Sequence, residues 1–359
     1  GLARLELRLG PMAAADWGLN RAEAVGEAVG ADILCLGDSL IKCGVAPAVL
    51  ESSLGLTAYN LASLGAPPPA SYFLLRRALD AGARPRAIVL DADAGTLTAA
   101  NYRGLVRNWA ALLGPREALL LARDDRDLGF LGVHLVHYFV PSVRMRLDLR
   151  KALTDELAGG PVAADVAWGP IVERQHAINR GGFHRSPTHP KEGPDPFPGG
   201  VLPAHEEAVC YPTGWTPYST NLVYLDKTLA LAESRAVPVF FLVPPIHPGV
   251  QAGREARGLD APFMALVRKI HARHANVTVL DGRHSGFGHG AFADAQHLDL
   301  EGATALSAAL AQAMAPRLEG RAGGDRWVEL PKGVVPAGRP PIEDMDESRM
   351  TLGRLAARR

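Results

Sequence analysis

Two short stretches of this chain carry the residue types that acyl transfer needs. The first, Gly37-Asp38-Ser39-Leu40, ends the apolar run 33–36, a pattern that reads as a buried strand turning into a helix. A serine there sits at the carboxyl end of a strand and at a helix N-terminus, where backbone N–H groups can hold a developing oxyanion. The same two residues, Asp38 and Ser39, would also serve as a plain helix cap. The second stretch is Asp294-Ala295-Gln296-His297, which precedes Asp299-Leu300-Glu301-Gly302 and the helical run 303–314. A carboxylate three residues before a histidine can hold one ring nitrogen while the other faces a serine hydroxyl. Taken together, Ser39, His297 and Asp294 supply a nucleophile, its base and the group that orients the base.

On these blocks the chain resembles the SGNH or GDSL hydrolase superfamily, over roughly residues 31–98 and 219–315. A third block, Tyr59-Asn60-Leu61-Ala62-Ser63-Leu64-Gly65-Ala66, is similar to the one in which that family places an oxyanion-hole glycine. The resemblance therefore implies that the Gly65 N–H assists that of Ser39. The fourth block departs: the family carries Gly-x-Asn-Asp, with the Asn completing the oxyanion hole, and this chain reads Asp91-Ala92-Asp93-Ala94-Gly95-Thr96. The implied activity is hydrolysis of small acyl esters, O-acetyl groups on carbohydrate foremost, through an acyl-Ser39 intermediate and without cofactor or metal. Two alternatives stand beside it: O-acyl transfer to a polysaccharide by the same triad, and a non-catalytic scaffold that keeps the fold. Asp38, Asp93, Gly95, Thr96 and His247 are the candidates for substrate contact.

The elements that must position these residues follow an α/β order. Strands are expected at 33–36, 56–61, 87–90, 238–243 and 277–280, and helices at 45–54, 71–81, 222–234 and 261–274. Strand, helix, strand at this spacing predicts a doubly wound, mostly parallel five-stranded sheet, which the resemblance narrows to a flavodoxin-like three-layer sandwich. Ligands bind such sheets at the carboxyl ends of the strands, which brings His247, in the rigid exit Pro244-Pro245-Ile246-His247-Pro248, toward the substrate. Residues 1–30 form an N-terminal extension, with Leu5, Leu7 and Leu9 in alternation before an alanine-rich stretch; it reads as a short strand with a covering helix, or as a membrane-proximal stalk. Residues 99–218 are an insertion with helical stretches at 105–121 and 128–157, then a Gly-, Pro- and His-rich segment at 159–217. A loop region this long is expected to be a cap or lid. The tail, residues 316–359, is expected either to be clipped back onto the body by Trp327, Val328 and Leu330 or, failing that, to be a flexible extension or tether.

Side readings are few. His134 and His137 share a helical face, as metal ligands can, but no carboxylate or thiol lies near them in that run, so they read as core or interface histidines. His284 and His289 flank a glycine-rich loop that lacks phosphate-loop spacing and instead borders the mouth of the site. Lys+Arg and Asp+Glu balance at 38 each, which argues against a nucleic-acid partner. Abundant alanine and arginine are the imprint of a GC-rich bacterial genome. Three cysteines make no disulfide framework; Cys35 reads as core, and Cys43 and Cys210 pair only if the fold brings them together. No run is long and apolar enough to read as a transmembrane span, and because the sequence begins at glycine, a periplasmic or cell-envelope location is expected ahead of a cytoplasmic one.

Overall fold

The computed structural model describes residues 11–100, 102–157, 168–321, 325–334 and 341–357. The first part runs α1 (Met12–Glu23), β1 (Ile33–Leu36), α2 (Ser39–Gly44), α3 (Pro47–Leu54), β2 (Ala58–Asn60), α4 (Pro68–Asp80), β3 (Ala87–Leu90) and α5 (Ala94–Thr98). The insertion contributes α6 (Val106–Leu112), α7 (Pro115–Asp124), α8 (Leu128–Phe139), α9 (Pro141–Arg144), α10 (Arg146–Leu157), α11 (Trp168–Ile178) and α12 (Ala204–Cys210). The chain closes with α13 (Ser219–Ser234), β4 (Val239–Val243), α14 (Pro248–Ala256), α15 (Asp260–Arg273), β5 (Val277–Asp281), α16 (Leu300–Leu318), β6 (Trp327–Glu329) and α17 (Met345–Ala357).

All strands pair in parallel, in the order β2-β1-β3-β4-β5-β6. Strands β1 to β5 are buried along their whole length, as continuous apolar runs in a parallel sheet must be when helices cover both faces. Alternate side chains divide between those faces. Leu34, Leu36, Ile88, Leu90, Val239 and Phe241 pack against α1, α4, α13 and α15, whereas Ile33, Cys35, Val89, Phe240 and Leu242 pack against α3 and α16. The order reverses between β1 and β3, so the crevice at their carboxyl ends is the switch point where such sheets bind ligands.

Among the described residues the sheet has six strands where five were expected. Val279 N–H donates to Arg326 O at 2.7 Å and Leu330 N–H to Asp281 O at 2.9 Å, which adds β6 at the edge. A half-exposed edge strand of three residues leaves too short an apolar pattern to read. Beyond it the described tail is docked, not free: Arg174 binds Glu343 at 2.5 Å and Gln175 donates to Asp344 O at 2.8 Å. The two long helical stretches of the insertion are also broken, at Pro115 and Pro141, because proline removes a helix N–H and fits the first turn of a new helix.

The insertion divides its packing. Trp109 and Phe130 belong to the same apolar cluster as Trp17 of α1 and Leu34 of β1, with Trp17 and Trp109 edge to face at 4.9 Å. Phe197, Leu202, Cys210 and Tyr211 pack instead on Ile246, Val250 and Ala295, over the carboxyl edge of the sheet. Leu5, Leu7 and Leu9 lie outside the described residues. Among the described residues, no helix is long and apolar enough to cross a membrane.

Candidate active site

Strand β1 is followed by Gly37, whose φ of +143° is a conformation that side-chain-bearing residues rarely adopt. A Cβ there would also collide with the Asp91 carboxylate. Asp38 follows in extended conformation and caps α2, its Oδ1 accepting the Leu40 N–H at 2.7 Å. Ser39 is therefore the first residue of the helix, half-buried, with its N–H among the first-turn donors that no helical carbonyl can satisfy.

His297 arrives from the far end of the sequence. After β5 the chain folds back on itself, with Ala293 N–H donating to His297 O at 2.8 Å. Asp294 Oδ1 accepts the N–H groups of Gln296 and His297 at 2.9 and 2.8 Å, and both its oxygens lie 2.9 Å from His297 Nδ1. The other ring nitrogen, Nε2, lies 2.8 Å from Ser39 Oγ. A carboxylate on Nδ1 fixes the tautomer in which Nδ1 donates and Nε2 accepts the serine proton.

Sequence reasoning missed Arg185, whose Nη2 is 3.0 Å from Asp294 Oδ2. Burial would raise the Asp294 carboxyl, but the His297 hydrogen bond and charge, followed by Arg185, outweigh it and hold the group well below the usual carboxylate range. The segment that carries Arg185 also grips α2: Phe183 N–H donates to Lys42 O at 3.0 Å, and His184 Nδ1 to Cys43 O at 2.9 Å. Nothing local marks this stretch; its partners are distant in sequence.

Gly65 follows β2 in a loop that runs beside β1, where Ser63 N–H donates to Gly37 O at 3.1 Å. Its φ is +65°, it is exposed between buried neighbours, and a Cβ there would meet open space. Asp93, at the position of the expected asparagine, caps α5 by accepting the Gly95 N–H at 2.7 Å, and Thr96 Oγ1 donates to Asp93 O at 3.0 Å. Arg254 Nη1 stands 3.5 Å from Asp93 Oδ1.

Asp38, Asp91 and Asp93 gather next to Ser39, with Asp38 N–H donating to Asp91 Oδ1 at 3.0 Å. Burial, then the charge of Asp93, pushes the Asp38 carboxyl up to about 6. Burial and the Asp38 charge push Asp91 well above its ordinary value, and its Oδ2 has no hydrogen-bond partner among the described residues.

The remaining candidates are placed as follows. His247 is fully buried, with Nδ1 accepting the Gly249 N–H at 3.2 Å and Nε2 3.2 Å from Asp195 Oδ1. His134 packs in the insertion 3.4 Å from Trp109 O, and burial lowers the pKa of both His134 and His137. His289 Nε2 donates to Gly193 O at 3.0 Å, and exposed His284 lies 3.1 Å from Glu255. Cys35, Cys43 and Cys210 are buried and unpaired, so Cys43 and Cys210 are not brought together. Among the described residues, no group of three or more His, Cys, Asp or Glu could hold a metal ion.

No protein-family model matches this chain, and no curated protein matches it in sequence.

Proposed function

We propose that the protein is a serine esterase of the SGNH or GDSL kind, acting on small acyl esters, with O-acetyl groups on carbohydrate as the leading substrate class. The observation that carries this reading is the unbroken chain from Ser39 Oγ through His297 to Asp294, with contacts of 2.8 and 2.9 Å. A cap needs no such chain, because Asp38 already satisfies the α2 amide at Leu40.

In this mechanism Ser39 Oγ attacks the ester carbonyl as His297 Nε2 takes its proton, and Asp294 stabilises the resulting imidazolium. The oxyanion faces the N–H groups of Ser39 and Gly65. His297 then returns the proton to the leaving alcohol, leaving an acyl-Ser39 ester. Water, deprotonated by the same histidine, attacks that ester and releases the acid. A sugar hydroxyl in place of water makes the protein an O-acyltransferase without any change of residue. The scaffold reading draws on Asp93, which accepts a hydrogen bond where the family has a donating asparagine.

The test is hydrolysis of an aryl acetate, together with labelling by a serine-directed phosphonate, by wild type and Ser39→Ala. Activity and labelling that vanish in the variant support the esterase; a wild type that is neither active nor labelled refutes it and leaves the scaffold.

A further inference from the structure

Asp16, Lys42 and His176 form a charged cluster that is closed to solvent. Asp16 Oδ1 lies 2.7 Å from Lys42 Nζ and 2.7 Å from His176 Nε2, and the two nitrogens are 3.0 Å apart. Withdrawing ions from water costs several kcal/mol each, and an apolar replacement is often as stable. Stability is therefore a poor explanation for the cluster.

Its contacts supply a better one. Asp16 Oδ2 accepts the Leu64 N–H at 2.8 Å, and the next residue, Trp17, donates Nε1–H to Leu64 O at 2.9 Å. One turn along, Asn20 Nδ2 donates to Ala62 O at 2.9 Å and to Ser63 Oγ at 2.7 Å. Lys42 reaches Asn20 Oδ1 at 3.4 Å. Helix α1 thus clasps residues 62–64 at three points. The cation that neutralises the clasp sits on α2, the helix that begins at Ser39, and His176 reaches in from α11 of the insertion. The next residue after the clasp is Gly65, exposed, at φ +65°, with no hydrogen bond to its N–H among the described residues.

We propose that Asp16, Trp17 and Lys42 are positioning residues for acyl transfer, which fix the Gly65 N–H relative to Ser39 by tying the glycine loop and the nucleophile helix to one buried carboxylate. This rests on the serine esterase reading. Burial opposes ionisation of Asp16, but Lys42 and His176 outweigh it and keep the carboxylate charged. Burial and the Lys42 charge hold His176 down to about 4, so it is neutral and donates from Nε2. Burial lowers the Lys42 ammonium below its ordinary value while the Asp16 carboxylate at 2.7 Å works to raise it, and with Lys42 protonated the cluster balances its own charge.

Two substitutions test this. Asp16→Asn is isosteric and keeps an acceptor for Leu64 but removes the charge that holds Lys42; Trp17→Phe removes the bond to Leu64 O together with the five-membered half of the buried indole. A shift of the oxyanion donor by a fraction of an ångström is expected to lower kcat by about 10- to 100-fold in Asp16→Asn, and less in Trp17→Phe. KM should stay within about twofold, because the ground-state ester makes little use of that N–H. An alkylboronic acid, which forms a tetrahedral adduct on Ser39, should lose affinity by the same factor as kcat. That parallel is what mere loosening of the fold would not produce. Folded variants with wild-type kcat, or a fall in kcat without the matching fall in boronate affinity, overturn the proposal. Should Asp16→Asn fail to fold, Trp17→Phe carries the test. A wild type without Ser39-dependent phosphonate labelling refutes the esterase reading itself, whereas labelled wild type with equally reactive variants refutes only the positioning role.

Discussion

Replacing Asp294 by asparagine changes few atoms and inverts the hydrogen bonding around His297, the base of the proposed esterase. The carboxylate receives the Gln296 and His297 amides on Oδ1 at 2.9 and 2.8 Å, Arg185 on Oδ2 at 3.0 Å, and the imidazole Nδ1 on both at 2.9 Å. Asparagine has one acceptor. If that acceptor stays on the two amides, the new NH2 faces Arg185 and His297 Nδ1. The imidazole then turns Nδ1 into an acceptor and carries its proton on Nε2, against Ser39 Oγ at 2.8 Å. Catalysis now has to restore the other tautomer. It loses the charge-assisted bond to the imidazolium, about 1.5–3 kcal/mol, and leaves donors unpaired at about 1–3 kcal/mol. A total of about 4 kcal/mol is about a 10³-fold loss in kcat. Steady-state hydrolysis of an aryl acetate by wild type and Asp294→Asn measures it, with phosphonate labelling slowing in parallel. A loss under tenfold would mean that Asp294 only shapes the loop. Stability should respond in its own way: a depressed carboxyl contributes stability that is present above its unfolded value and is lost on acidification below about pH 4. The melting temperature of wild type should therefore fall more steeply there than that of the variant.

The acidic pair beside Ser39 has the opposite sign. Asp38, at about 6, and Asp91 hold protons in the folded state that the unfolded chain releases near pH 4, so stability should decline as pH rises from about 4 through 6, and Asp91→Asn should flatten that slope in thermal melts. Trp109, fully buried against Trp17, Tyr102 and Phe130, should cost about 3–5 kcal/mol on truncation to alanine; a single shifted unfolding transition is expected, and a wild-type midpoint would mean that the insertion folds apart from the sheet.

What the sequence makes legible is set by the range of the forces involved. Strands β1 and β3 stand where their apolar runs place them because, buried on both faces, they carry the signal in every residue. Ser39, Asp294 and His297 can be picked out because a strand end and a histidine loop are local patterns, although only folding closes the 2.8 Å contact between them. Arg185, Asp16 and Lys42 carry no such mark. Lysine in Ser39-Leu40-Ile41-Lys42-Cys43-Gly44 looks like an ordinary helix surface charge, and only the arrival of Asp16 and His176 makes its complete burial tolerable. For the same reason residues 1–30 read as an extension: α1 shows no chemistry of its own, because Asp16, Trp17 and Asn20 act on backbone groups more than 40 positions away, at residues 62–64. Backbone amides have no sequence signature. A device that holds one in place is therefore invisible until the loop and its clasp are seen together, and the insertion enters the site by the same route, through His176 on Asp16 and Arg185 on Asp294.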